Sequence, residues 1–191
     1  MNLATSVTVF RILLAPVFAW VIYQARNGST ALLWAALALA ILSEISDGLD
    51  GWLARRLGQV SDLGKLLDPL ADSLARMTSF LAFTAVGWMS LGVMLVLIWR
   101  DILVSAIRTA AASQGLVLAA RSSGKIKAIV QAAAIFAVLL AQLAHGYNLN
   151  WGFSWLWFQN LFVWAAALIT AWSLADYAYS CRAAFRALAR R

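Results

Sequence analysis

The chain has 191 residues, 63% of them hydrophobic, and a mean hydropathy of +0.80, which excludes an ordinary soluble domain and indicates an integral membrane protein. Its net charge of +7 does not point to nucleic acid, because the bases gather at the ends of apolar runs, where they read as a topology signal. The single cysteine, Cys181, excludes a disulfide framework and a thiolate metal site.

Apolar runs of about 20 residues, enough to cross a hydrocarbon core of roughly 30 Å, can be placed six times. The expected fold is therefore all-α: a polytopic membrane bundle of about six transmembrane helices, forming one domain over residues 1–191. The first run, Val7 to Tyr23, follows a polar entry of Asn2, Thr5 and Ser6 and contains Arg11 and Pro16. It lacks an early basic region and further runs follow it, so it reads as a retained span rather than a signal peptide. Arg11 is placed to snorkel to the head groups from near the helix start. A turn at Arg26-Asn27-Gly28-Ser29 leads to the second run, Ala31 to Ser46, whose alanines favour close helix packing. Glu44, three residues before Asp47, stands either beside a metal site or paired with a nearby arginine.

Asp47 to Asp72 is the one stretch where carboxylates crowd together. Asp47 and Asp50 are three apart, Asp68 and Asp72 four apart, so on two helices each pair shares a face. Like charges so placed near a bilayer call for a cation between them. Gly51 and Ala54 continue the first stripe and Gly64 precedes the second, which leaves a shelf with almost no side chains. Gly58-Gln59 and Ser61-Asp62 supply the turn of a helical hairpin with its acids facing inward. Pro69 is tolerable if it falls in the first turn of the second helix, where its missing N–H would be unpaired anyway. Carboxylate oxygens from Asp47, Asp50, Asp68 and Asp72 suit two hard divalent cations, Mg²⁺ or Mn²⁺. Smooth walls, metals and Arg55 suggest a pyrophosphate ligand and phosphoryl transfer.

The third run, Leu66 to Val86, carries Asp68, Asp72 and Arg76, the last two spaced for an internal salt bridge. The fourth, Leu91 to Ala112, is interrupted by Arg100, Asp101 and Arg108; the two arginines share a face two turns apart, while Arg100 and Asp101 are expected to point in different directions. Arg121, Lys125 and Lys127 then crowd the start of the fifth run, Ile126 to Ala144. With Arg100 and Arg108 they can form a cationic pocket; Arg121 also fits a plain topology cluster, whereas Arg108 lies too deep for that alone. His145 reads as a surface residue, and Tyr147, Trp151, Trp155 and Trp157 as an interfacial belt. The sixth run, Phe158 to Ala178, holds Asp176, which is expected to pair with a base or cap the pocket. Arg182, Arg186, Arg190 and Arg191 follow as a basic amphipathic tail. The bases fall between runs two and three, between four and five, and at the end, whereas Arg26 stands alone on the other side. The acids, the pocket and both termini are thus expected to face the cytoplasm.

At the acidic stretch the chain resembles the CDP-alcohol phosphotransferase family. The pattern D-x-x-D-G-x-x-A-R, eight residues, G-x-x-x-D-x-x-x-D is met in full by Asp47, Asp50, Gly51, Ala54, Arg55, Gly64, Asp68 and Asp72. The resemblance covers most of the chain, since RDILVSAIR and SGKIKAIVQ look like segments of the bacterial members that join CDP-diacylglycerol to glycerol 3-phosphate. One departure is Ser73, where many such members have lysine.

The resemblance implies a membrane enzyme of the bacterial cytoplasmic membrane, a homodimer in its relatives, with CDP-diacylglycerol and glycerol 3-phosphate as substrates and the lipid bilayer as its setting. It places Asn2 and Thr5, along with Arg11, beside the nucleotide, together with Gly51, Ala54, Arg55 and Gly64. Combined with the residue chemistry, it makes Asp72 both a metal contact and the base that takes the proton of the attacking hydroxyl. Arg100, Arg108, Arg121, Lys125 and Lys127 are the expected ligands of the acceptor's phosphate. Within the family the acceptor could instead be inositol phosphate, or phosphatidylglycerol as in a cardiolipin synthase. A cation transporter could use the same acids but would not require Gly51, Ala54 and Gly64 to be small.

Overall fold

A computed structural model describes residues 3–57, 62–112, 122–149, 152 and 154–188, and within these the side chains of residues 3–7, 47–57 and 62–69 and of most residues beyond 179 are outside the description. Six helices run in order: α1 (Leu3–Ala25), α2 (Thr30–Leu57), α3 (Asp62–Ala85), α4 (Leu91–Ala112), α5 (Ser122–Gly146) and α6 (Trp155–Leu188). Among the described residues there is no strand.

Local chemistry sets the helix ends. Gly28 takes a left-handed conformation, φ +86°, and its N–H returns to the Ala25 carbonyl at 2.9 Å, closing α1. Gly87, φ +79°, does the same for α3, where Trp88 N–H bonds the Phe83 carbonyl at 2.8 Å. Ser90 then caps α4, its Oγ accepting from Val93 N–H at 3.4 Å, and Ser154 caps α6 through Trp157 N–H at 3.3 Å.

α1 packs on α2 and α3, α5 on α6 and α2, and α4 on α6 and α3. Phe18, Ile22, Leu33, Phe80, Phe83, Met94, Leu97 and Leu139 fill the interior. Phe83 meets the edges of Phe18 and Phe80 at 6.0 and 6.4 Å between ring centres. Lipid is as apolar as this interior, so tight packing and interhelical hydrogen bonds carry the association. Gln131 on α5 donates to Thr170 on α6 at 3.1 Å, both fully buried, and Gln142 donates to Gln159, which reaches the Trp88 carbonyl. Trp20, Leu91, Trp99, Ile129 and Leu168 point outward, the orientation of lipid-facing residues.

Three of the described segments are long and apolar enough to cross a membrane: Thr8–Ala25, Ser122–Gly146 and Trp155–Tyr179. Thr30–Ser46 is a shorter apolar stretch of α2. The remaining helices of the expected six carry the ionic groups: α2 runs on past Ser46 into the acids, and α3 and α4 hold Asp72, Arg76, Arg100 and Asp101. α6 also continues unbroken into the basic tail, so Arg182 extends the sixth span and lies 4.2 Å over the Tyr179 ring. The first-turn position for Pro69 does not hold. α3 begins at Asp62, so the proline falls two turns in and forgoes the backbone bond to Lys65.

Thr170→Val should leave the fully buried Gln131 amide without its interhelical acceptor while keeping the shape of the side chain. A loss of about 0.6 to 1.7 kcal/mol is expected, measured by reversible unfolding in mixed micelles.

Candidate active site

α2 passes through Asp47, Asp50, Gly51, Ala54 and Arg55 as continuous helix, and α3 through Gly64, Asp68 and Asp72. The spacings of three and four therefore become shared helix faces, as the sequence predicts. Whether Asp47, Asp50 and Asp68 face one another lies outside the described residues, as do Asn2, Arg121, the 58–61 connection and the side chains of Thr5, Gly51, Ala54, Arg55 and Gly64. Among the described residues no three His, Cys, Asp or Glu side chains gather as a metal site.

Asp72 is the described member of the acid motif, and cations hold it from two helices. Its Oδ1 accepts from Arg11 Nη1 of α1, and its Oδ2 lies 3.4 Å from Arg76 Nη2 one turn along α3. The spacing rule anticipates the Arg76 pair. Arg11 does not snorkel outward: it is 2% exposed, because a counter-charge inside the bundle outweighs the pull of the head groups. Arg76 also donates to the Ala128 carbonyl of α5 at 3.3 Å. Glu44 and Ser43 of α2 line a shallow hollow together with Arg11, Asp72, Ala75 and Arg76.

A second ionic cluster adjoins the first through neighbouring residues. Ser73 Oγ donates to Asp101 Oδ2 at 3.2 Å, and Asp101 Oδ1 accepts from Lys127 Nζ of α5 and from Arg100 Nη1 at 3.0 Å. Arg100 Nη2 donates to Ser173 of α6 at 2.8 Å. The expectation that Arg100 and Asp101 point apart is corrected here. Their Cβ atoms diverge on the helix, but the long arginine stem curls back to the carboxylate inside the bundle.

Arg108 shares its face with Arg100, as expected. Arg100, Val104 and Arg108 descend α4 against Ser173 and Tyr177 of α6, with Arg108 Nε donating to Tyr177 Oη at 2.9 Å. The five expected phosphate ligands thus divide. Arg100 and Lys127 are buried and joined through Asp101, Arg108 is exposed and steered by Tyr177, and Lys125 is exposed on α5. Asp176 accepts from Ser123 Oγ at 2.6 Å, tying the start of α5 to α6 beside this group.

Sequence reasoning passed over Asp101, Ser73 and Tyr177 as parts of this site. The available signal was Asp101 itself, an acid deep in an apolar run, which marks a functional position by its cost alone.

A family model described as CDP-alcohol phosphatidyltransferase matches residues 1–177. Curated relatives named CDP-diacylglycerol–glycerol-3-phosphate 3-phosphatidyltransferase include proteins from Bacillus subtilis, Blochmanniella floridana and Escherichia coli K12. The first is 32% identical, covering 92% of this chain and 93% of its own. The second is 31% identical, covering 94% and 90%, and the third 30%, covering 95% and 96%. With the acid motif on two consecutive helices and the family match running through all six, this membrane protein belongs to the CDP-alcohol phosphatidyltransferase family.

Proposed function

We propose that this chain transfers the phosphatidyl group of CDP-diacylglycerol to glycerol 3-phosphate, giving phosphatidylglycerophosphate and CMP. The observation that carries the reading is the junction at Asp72 and Ser73. One residue belongs to the acid motif and the next touches Asp101, which holds Arg100 and Lys127. The acid for a hydroxyl is joined, through Ser73 and Asp101, to cations for a phosphate, which suits an acceptor carrying both groups. The names of the relatives supply the same pair of substrates.

Asp47, Asp50, Asp68 and Asp72 form an all-oxygen donor set on two continuous helices, which fits two Mg²⁺ or Mn²⁺ ions. When bound, such ions neutralise the pyrophosphate and the departing CMP. Arg55 grips the nucleotide phosphate, Asn2 and Thr5 lie beside the nucleotide, and Gly51, Ala54 and Gly64 leave room for it. Asp72 takes the proton of the acceptor hydroxyl as its oxygen bonds to the phosphatidyl phosphorus and the bond to CMP breaks. Arg108, Lys125 and Lys127 hold the acceptor phosphate, together with Arg100 and Arg121. The single domain works as a homodimer in the bacterial cytoplasmic membrane, its site and termini on the cytoplasmic face, where the loop bases place them.

The test is CMP release by purified protein across a panel of acceptors, with glycerol 3-phosphate expected to be preferred over inositol phosphate and phosphatidylglycerol. Preference for either of the others would overturn the acceptor. Asp47→Asn, Asp50→Asn and Asp68→Asn should each abolish turnover while the protein still inserts and folds, as followed by folded yield and by donor-dependent CMP release.

Arg108→Gln separates binding from topology. Tyr177 takes its Nε, and among the described residues no hydrogen bond engages the rest of the fork, which suits a phosphate. The acceptor KM should rise roughly ten- to a hundredfold, the range given by a lost charge-assisted hydrogen bond, with the donor KM unchanged. Initial rates with each substrate varied in turn check this, as does Lys125→Gln.

A further inference from the structure

Asp101 serves two buried cations at once. Lys127 is 7% exposed and Arg100 8%, and among the described residues Asp101 is the carboxylate paired with both, so these three side chains together carry one positive charge. Arg100 Nε is buried with no partner among the described residues. We infer that Asp101 is a positioning residue for the acceptor phosphate, acting through Lys127. The inference rests on the acceptor reading above.

Lys127 stands in the second turn of α5, so its flexible stem could carry the ammonium out to the head groups. Asp101 turns it inward instead. The same carboxylate takes its third hydrogen bond from Ser73, the residue after Asp72. Through one side chain the cation of α5 is therefore held at a set reach from the acid of α3. Charge supports the assignment as well as distance. Without Asp101 two buried cations would face each other, a costly arrangement. With a second carboxylate the cluster would be neutral and would attract no anion. One carboxylate for two cations holds the pair in place and leaves attraction for a phosphate.

A purely architectural ion pair between α4 and α5 would move stability and leave the kinetics of folded protein alone. The test is a double-mutant cycle on Asp101→Asn and Lys127→Gln, reading both substrate KM values by CMP release. Asp101→Asn keeps the shape and removes the charge. It is expected to raise the glycerol 3-phosphate KM about tenfold, the loss of one charge-assisted contact, with the CDP-diacylglycerol KM unmoved. In the Lys127→Gln background the same substitution should have no further effect, because the residue it acts through is gone. An unchanged KM, an equal rise in both backgrounds, or a fall in KM overturns the proposal; a fall would make Asp101 a competitor of the phosphate for Lys127. Should Asp101→Asn fail to fold, Ser73→Ala removes the link to α3 and leaves both ion pairs in place. It should raise the acceptor KM about tenfold, the low end for the loss of a hydrogen bond to a charged group, and no change there overturns the proposal. Wild-type protein that releases no CMP with glycerol 3-phosphate sinks the acceptor reading itself. Wild-type turnover with kinetically silent variants sinks only the role of Asp101.

Discussion

Charge buried at membrane depth is the constraint from which the arrangement of these helices follows. A single carboxylate or ammonium at the centre of a span costs roughly 2.5 to 3.5 kcal/mol on insertion scales. This bundle accepts several, and the buried cations Arg11, Arg100 and Lys127 each have an opposite charge within reach. Asp72 lies between Arg11 and Arg76, and Asp101 between Arg100 and Lys127. One partner of each carboxylate comes from another helix, so the helices must meet where the charges do. α1 meets α3 at Arg11 and Asp72, and α5 meets α4 at Lys127 and Asp101. Arg100 carries the line on to Ser173 of α6. The apolar packing of Phe18, Phe80 and Phe83 is less selective, because lipid tails compete for the same surfaces.

The same ionic layer explains why some of the described helices are not apolar enough to cross a membrane by themselves. α3 and α4 are broken by charged residues and fall short of a free-standing span, yet their outward faces stay apolar at Leu81, Trp99, Ile102 and Leu103. Asp72, Arg76, Arg100 and Asp101 turn inward and are matched there. A helix of this kind is stable in the membrane only with its neighbours present, whereas α5 and α6 have the composition to insert alone. The helices that carry the candidate site are thus the ones most dependent on tertiary structure.

Much of this was legible in the residues. The fourth run, Leu91 to Ala112, coincides with α4, because Ser90 caps one end and the apolar period ends at the other. The Asp72–Arg76 pair and the shared face of Arg100 and Arg108 follow from helical spacing alone. The acid motif could be read because its positions lie close in sequence on two consecutive helices. What could not be read was contact across the bundle. Nothing in the sequence pairs Arg11 with Asp72, 61 positions away, or Ser73 with Asp101, 28 away. Spacing also misled at Arg100 and Asp101. It gives the direction of the Cβ and says nothing of where a long side chain ends when water is scarce and one carboxylate is near.

Ser73 shows how a site can depart from its family's pattern while keeping the charge balance that matters. A lysine at this position would add a third cation around Asp101; a serine satisfies the second carboxylate oxygen without adding charge. The Arg100, Asp101 and Lys127 side chains then keep an excess of one positive charge, and the ion pairs of Asp101 stay with residues of α4 and α5 while α3 is held by the hydroxyl. A hydroxyl is also a softer tether than an ammonium. It holds α3 to α4 by a neutral–charged hydrogen bond, so Asp72 is located relative to the cations without being drawn toward them. Locating a proton acceptor and an anion site independently, yet at a fixed separation, is what an acceptor with a hydroxyl at one end and a phosphate at the other demands of a rigid bundle.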